Sequence, residues 1–227
     1  MKIVDILPTR LGAVMYPEHD EIKSLIISEI DNHSEHRRDA PLEHVDYYSP
    51  LLDTKFTKFR EWIEQQAEIY ARDILEYDVN DLIVTDSWIN ICNGGGYQHP
   101  HFHINSFVCA LYYVSFDDNL HAPTYFYKPN DSQRFPDYLS MMLTNHTETK
   151  YNQPNGLVGI EGSLILWQSN TVHGYMMNNN GNRITISTNI MPKSLGTYHI
   201  VPLNKDERHT QMTTQRSGQL WDSPKFI

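Results

Sequence analysis

The sequence predicts a mainly β domain of the α+β class, with two supporting helices leading into a sandwich or barrel of short strands. Three observations carry that reading. Apolar residues recur at helical spacing up to about residue 77. Beyond residue 81, short β-branched and aromatic runs separated by turn residues take over, with no helix between them. A hydrophobic content of 40% over 227 residues is enough to build a packed core. One domain is expected: strands and supporting helices over 1–80, a barrel core over 81–191 with an insertion at 130–154, and a C-terminal extension over 192–227.

In chain order, residues 2–7 form a β-prone run that Pro8 ends, and 12–15 read as a second strand. From His19 the period changes. Ile22, Leu25, Ile26 and Ile30 fall three and four apart with acids between them, which puts one apolar stripe on a helix ending near Asn32. The stretch 32–52 is polar, holds Pro41 and Pro50, and reads as a long loop. Asp53 or Thr54 then caps a second helix, whose apolar face is Phe56, Phe59, Trp62, Ile63, Ile69, Tyr70 and Leu75. Such a stripe is expected to pack on a sheet.

Strands follow at 82–85, 88–92, 107–116, 124–127, 156–160, 163–167, 173–177 and 183–190. The polar insertion 130–154 is long for a connection inside a domain, so it is either a lid over a site or a plain insertion. The last segment, with Trp221 and Phe226, reads as a tail across the barrel or an oligomer contact.

A net charge of −10 repels a phosphate backbone, which argues against nucleic acid as a partner. Cys92 and Cys109 are too few for a disulfide framework, the N-terminus lacks the pattern of a secretory signal, and no apolar run is long enough to cross a bilayer. A cytoplasmic protein without a membrane partner is expected, in the host's cytoplasm if the gene is phage-borne.

Histidines cluster where the barrel strands begin and end: His99, His101, His103 and His173. On an extended chain His101 and His103 project to one side with Phe102 opposite, so two imidazoles can chelate one ion. His173, on a late strand, could supply a third ligand and leave coordination positions open. His99 is a competing ligand, though Pro100 disturbs the strand; Asp117 or Asp118 could bring a carboxylate. Ten residues after His173 comes Arg183, across an Asn/Gly-rich stretch that reads as a hairpin turn placing Arg183 on the neighbouring strand. Arg183, Thr185 and Ser187 then share one face and Ile184 and Ile186 the other. A guanidinium beside hydroxyls is suited to clamp a dicarboxylate.

These residues resemble a known family. The run Gly95-Gly96-Tyr97-Gln98-His99-Pro100-His101-Phe102-His103, then Leu111-Tyr112-Tyr113-Val114, Pro123-Thr124-Tyr125-Phe126, Glu161-Gly162-Ser163-Leu164-Ile165-Leu166-Trp167, His173-Gly174 and Arg183-Ile184-Thr185-Ile186-Ser187, is similar to the iron(II)/2-oxoglutarate-dependent oxygenases, in particular the branch near prolyl 4-hydroxylases. The resemblance covers roughly 88–189. It implies a double-stranded β-helix, a jelly roll like that of the cupins. It further implies Fe(II) held by His101 and His173, 2-oxoglutarate anchored on Arg183, O2 as oxidant, and hydroxylation of a small-molecule or peptidyl substrate with release of succinate and CO2. Thr185, Ser187, Tyr97 and Asn90 are further candidates for cosubstrate contact. The departure is His103, which stands where most of the superfamily has Asp or Glu. Two alternatives therefore stay open: a three-histidine, cupin-type dioxygenase that does not use 2-oxoglutarate, and a non-enzymatic jelly-roll binding module. The identity of the substrate and the oligomeric state are not legible.

Overall fold

The computed structural model describes residues 9–32, 43–44, 49–127, 155–179 and 181–193. The expected strand at 2–7, the insertion 130–154 and nearly all of the C-terminal extension lie outside these residues. Strand β1 (Gly12–Met15) is followed by α1 (His19–Asn32), β2 (Glu43–His44), two 3-10 turns (Pro50–Leu52, Thr54–Phe56), α2 (Thr57–Ile69) and a π turn (Tyr70–Ile74). Then come β3 (Leu82–Cys92), β4 (Gln98–His101), β5 (Val108–Ser115), β6 (Thr124–Phe126), β7 (Asn155–Leu157), β8 (Ser163–Gln168), β9 (His173–Tyr175) and β10 (Arg183–Pro192). Within the expected 32–52 loop, β2 and the first 3-10 turn are thus regular structure. No helix among the described residues is long and apolar enough to cross a membrane.

Two antiparallel sheets result, one in the order β1-β8-β5-β10-β3-β2 and one in the order β4-β9-β6-β7. They face each other as the double-stranded β-helix that the resemblance implies. Strand alternation divides the side chains between two cores. On β5, Val108, Ala110, Tyr112 and Val114 turn outward to the helices, where they meet Ile26, Phe59 and Ile63 in the larger cluster. Cys109, Leu111 and Tyr113 turn inward and join Phe126, Ile165 and Trp167. Each fully buried large apolar side chain of this kind contributes roughly 1.5–3 kcal/mol.

The sequence pattern on β3 breaks phase: Leu82 and Val84 are buried, and so are Ile89 and Ile91. That is why it reads as two strands. The structure has one strand with a bulge, because Asn189 pairs with Asp86 and Ile190 with Val84, leaving Thr85 extra. One added residue returns the second apolar pair to the helix side. At its N-terminal end β3 is guarded by α2, whose Glu64 and Glu68 carboxylates accept from the Val84 and Leu82 N–H groups at 2.9 and 3.1 Å. Those side chains occupy donors that would otherwise offer an open edge.

Asp53 is the cap that forms, accepting from the Lys55 N–H at 3.1 Å, and it caps the short 3-10 turn that leads into α2. Ile69 was expected on the buried face but is 38% exposed. Ordinary helical spacing is the cause: Phe59, Ile63, Ala67 and Tyr70 recur three and four apart on the buried face, whereas Ile69 falls on the opposite side, and the π turn, with Leu75 N–H bonded to Tyr70 O, begins only after it.

Candidate metal centre and anion pocket

His101 ends β4, His173 begins β9, and the two are cross-strand partners. Their rings lie 4.4 Å apart, centre to centre. His103 lies beyond the end of β4, where its backbone N–H bonds to Ser169 O at 3.0 Å. Its ring is 5.3 Å from His101 and 5.2 Å from His173. One potential ligand atom from each of the three lies within 4.8 Å of the others. Gly174 makes this approach possible. A Cβ there would come within 2.6 Å of Gln98 O on β4, so only a glycine lets β4 and β9 close up beside the imidazoles.

Each imidazole is oriented by a hydrogen bond from Nδ1. His101 donates to His99 O at 2.9 Å, His173 to Thr171 O at 3.0 Å and His103 to Asn189 Oδ1 at 2.5 Å. Those oxygens only accept, so Nδ1 carries the proton and Nε2 keeps its lone pair. This is the outer support that metal-ligating histidines ordinarily have. Burial lowers the pKa of His103 and pushes that of His173 down to about 3, with His101 nearby acting in the same direction. Burial thus favours the neutral, ligating form of His103 and His173, and the three-imidazole donor set fits a divalent transition metal.

The competing ligands fall away. Irregular pairing between Gln98 and His101 breaks the alternation, and the exposed His99 ring packs on Tyr97 at 4.9 Å instead. Asp117 and Asp118 are exposed in the turn after β5. Among the described residues, no carboxylate joins the three imidazoles. Tyr97, expected as a cosubstrate contact, is 41% exposed and does not line the cavity beside the histidines.

That cavity is lined by Asn90, Gln98, Leu111, Thr124, Trp167, Tyr175, Arg183, Thr185 and Ser187 together with the histidines. Arg183, Thr185 and Ser187 do share the inner face of β10, and Asn90 on β3 donates to Ser187 Oγ at 2.9 Å. The hairpin does not form. β9 pairs with β4 and β6 in the small sheet, whereas β10 pairs with β3 and β5 in the large one. The Asn/Gly-rich stretch crosses between sheets because Asn178 is buried and pins the crossing. Its Nδ2 donates to Cys92 O at 3.0 Å, and its Oδ1 accepts from Ala122 N–H at 2.9 Å. Arg183 therefore faces the His173 strand across the barrel.

Arg183 is 1% exposed. It donates to Ala122 O at 3.2 Å and Thr124 Oγ1 at 2.9 Å, and its guanidinium stands 4.3 Å from the Tyr175 ring centre. Among the described residues no carboxylate pairs with it. A buried, unpaired charge is costly, on the order of several kcal/mol, unless an anion joins it. The neighbouring polar atoms point the same way. Asn90 Oδ1, Trp167 Nε1, Tyr175 Oη and Thr185 Oγ1 are buried without a hydrogen-bond partner among the described residues, and all four residues line this cavity. The site is built for a polar, anionic ligand beside a metal. Thr124 and Trp167 fall in the runs that carry the resemblance but were given no site role there, and Tyr175 was not singled out from sequence. Tyr175 was within reach, since it sits two residues after His173 on a strand and so shares its face.

Three convergent imidazoles and a buried cation lie together inside a two-sheet jelly-roll barrel, the layout of a candidate metal centre beside an anion pocket. Residues 86–189, from mid-β3 into β10, match the family model described as "Putative 2OG-Fe(II) oxygenase". Among solved structures it is similar to a Pseudomonas putida prolyl-4-hydroxylase, with a TM-score of 0.55 and 10% identity over 82% of this chain and 94% of that one. It is also similar to HygX from Streptomyces hygroscopicus, solved with nickel, 2-oxoglutarate and hygromycin B, with a TM-score of 0.53 and 11% identity over 81% and 83%. The collagen prolyl hydroxylase of Paramecium Bursaria Chlorella virus-1, in its 2OG complex, matches with a TM-score of 0.51 and 9% identity over 79% and 94%. At such identities these likenesses show the fold alone. No curated protein matches the sequence significantly.

Proposed function

We propose that the chain is an Fe(II)- and 2-oxoglutarate-dependent dioxygenase that hydroxylates a C–H bond of a small-molecule or peptidyl substrate, releasing succinate and CO2. The observation that carries this reading is the buried Arg183, a cation facing the three-histidine centre with no acidic partner among the described residues. In this reading His101, His103 and His173 hold the iron through Nε2. Iron, when bound, supplies the activation of O2. Arg183 receives the far carboxylate of 2-oxoglutarate through charge-assisted hydrogen bonds, with Thr124 and Thr185 adding neutral ones. Tyr175 lays its ring against the guanidinium and lines the same pocket. Leu111, Trp167 and the small sheet keep water away, which strengthens every electrostatic contact inside.

Three neutral imidazoles leave the centre one unit more positive than two imidazoles and a carboxylate, so an anionic cosubstrate is attracted more strongly. Cys92 and Cys109 are both buried thiols, which supports a reducing, cytoplasmic setting for this activity. The test is anaerobic iron loading followed by 2-oxoglutarate. A weak metal-to-ligand charge-transfer band and, on admitting O2, succinate are expected; Arg183→Ala should abolish both. Bound iron with neither band nor succinate would exclude this use of the cosubstrate.

A second reading has one observation in its favour. His103 in place of a carboxylate suits a three-histidine dioxygenase that attacks its substrate directly. Oxygen uptake with candidate thiols or diketones, in the absence of 2-oxoglutarate, would select it.

A further inference from the structure

We infer that Asn189 is a positioning residue that makes His103 a metal ligand: its amide oxygen stands in for the outer partner that a strand ladder or carboxylate would supply. The inference rests on the three-imidazole reading above and goes beyond it. His101 and His173 are held by the β4–β9 ladder and by backbone carbonyls close in sequence, at His99 and Thr171. His103 has neither. It lies past the last residue of β4, and its Nδ1 bond goes to a side chain 86 residues away, Asn189 Oδ1 at 2.5 Å. Its other restraints are the Ser169 carbonyl on its backbone and the Trp88 ring at 5.5 Å, neither of which chooses between the two nitrogens.

Asn189 is well placed to choose. It follows Arg183, Thr185 and Ser187 on the inner face of β10, so one strand carries the anion clamp at one end and the imidazole support at the other. Its main chain is fixed by the ladder to Asp86 on one side and Cys109 on the other, and its carbonyl accepts from Thr85 Oγ1 at 3.2 Å. Plain alternation along β10 turns Ile190 to the helix side and leaves Asn189 facing the interior, because the extra residue at this point, Thr85, belongs to β3. A neutral imidazole has two tautomers, and an amide oxygen can accept only from N–H. The bond therefore presents the Nε2 lone pair to the centre, and it does so without adding charge.

The test uses metal-free protein and Co(II), measured by competition with a chelator, for the wild type and for Asn189→Leu, Asn189→Asp, His103→Ala and His173→Ala. Asn189→Leu keeps the side-chain size and removes the acceptor, and Co(II) affinity should fall about 10–100-fold. Asn189→Asp keeps the acceptor and should bind Co(II) at least as tightly as wild type. A second readout needs no metal: in protein labelled with 15N-histidine at pH 8, long-range ring correlations should report His103 as the Nδ1–H tautomer, and as a mixture in Asn189→Leu. Asn189→Leu binding Co(II) within about twofold of wild type, with a single unchanged tautomer, overturns the inference. If Asn189→Leu does not fold, Asn189→Asp decides, and weakened Co(II) binding there overturns it. If His103→Ala and His173→Ala leave Co(II) binding intact, it is the ligand reading itself that fails.

Discussion

The Arg183 guanidinium stands 4.3 Å from the centre of the Tyr175 ring, inside the barrel, and no carboxylate among the described residues pairs with it. A charge held this way weakens the ligand-free fold and strengthens the liganded one, because only a bound anion offsets its desolvation. Arg183→Met is expected to leave the ligand-free protein as stable as wild type, or more so. With Zn(II) or Mn(II) in place of iron, 2-oxoglutarate should raise the melting temperature of wild type but not of the variant, the affinity having fallen on the order of 100-fold. An equal ligand-induced shift in both proteins would remove Arg183 from the cosubstrate site.

How this site could be read from sequence, and where the reading stopped, comes down to strand geometry. His101, His173 and the Arg183/Thr185/Ser187 face were legible because alternation along one strand is a local property. The pairing of strands is not local. The Asn/Gly-rich stretch after Met177 looked like a tight turn, and only the buried Asn178, bonded to Cys92 O and Ala122 N–H, turns it into a crossing between sheets. The same limit hid Asn189, whose role depends on a contact with His103 across 86 residues. Elements with a strong period, such as α1, appeared with their predicted ends; the bulge at Thr85 and the π turn at Tyr70, each a single added residue, did not.

Tyr175 offers a separate measure of the same pocket. Its hydroxyl is buried without a partner among the described residues, and burial raises its pKa above the usual range, so it remains a donor at neutral and alkaline pH. Tyr175→Phe keeps the ring on Arg183 and removes that donor. The ligand-free variant should match wild type or gain up to about 1 kcal/mol, since an unpaired buried hydroxyl is lost. Affinity for 2-oxoglutarate should fall by about tenfold, the value of one hydrogen bond to a charged group. Calorimetric titration of both proteins checks it, and unchanged affinity would place the cosubstrate away from Tyr175.

Gly174 tests the closeness of β4 and β9. The Cβ of Gly174→Ala would lie 2.6 Å from Gln98 O, a backbone atom that cannot rotate away. The strands must part, at an expected cost of about 1–3 kcal/mol in stability. His101 and His173 move apart with them, so Co(II) affinity should drop with the melting temperature. A variant that is less stable but binds Co(II) as wild type does would show that the two histidines are positioned by something other than this strand contact.

Glu161 joins α1 to the barrel and provides the pH dependence. It accepts from Lys23 Nζ at 2.5 Å, from His19 Nε2 at 3.2 Å and from the Phe116 N–H at 3.1 Å. Burial alone would raise its pKa, but Lys23, the Phe116 N–H and His19 together hold it below the ordinary carboxylate value. A depressed pKa means that the folded state prefers the ionised form, so the stabilisation is complete above the unfolded value of about 4.5 and is lost as pH falls through the lower folded value. Because 34% of the side chain remains exposed, the contribution is below about 1 kcal/mol and weakens with salt. Glu161→Gln should therefore be less stable than wild type in urea unfolding at pH 7, and the gap should close between pH 4.5 and more acidic conditions. A gap that stays constant with pH would assign the loss to packing around Gly162 and His19 instead of to the carboxylate's charge.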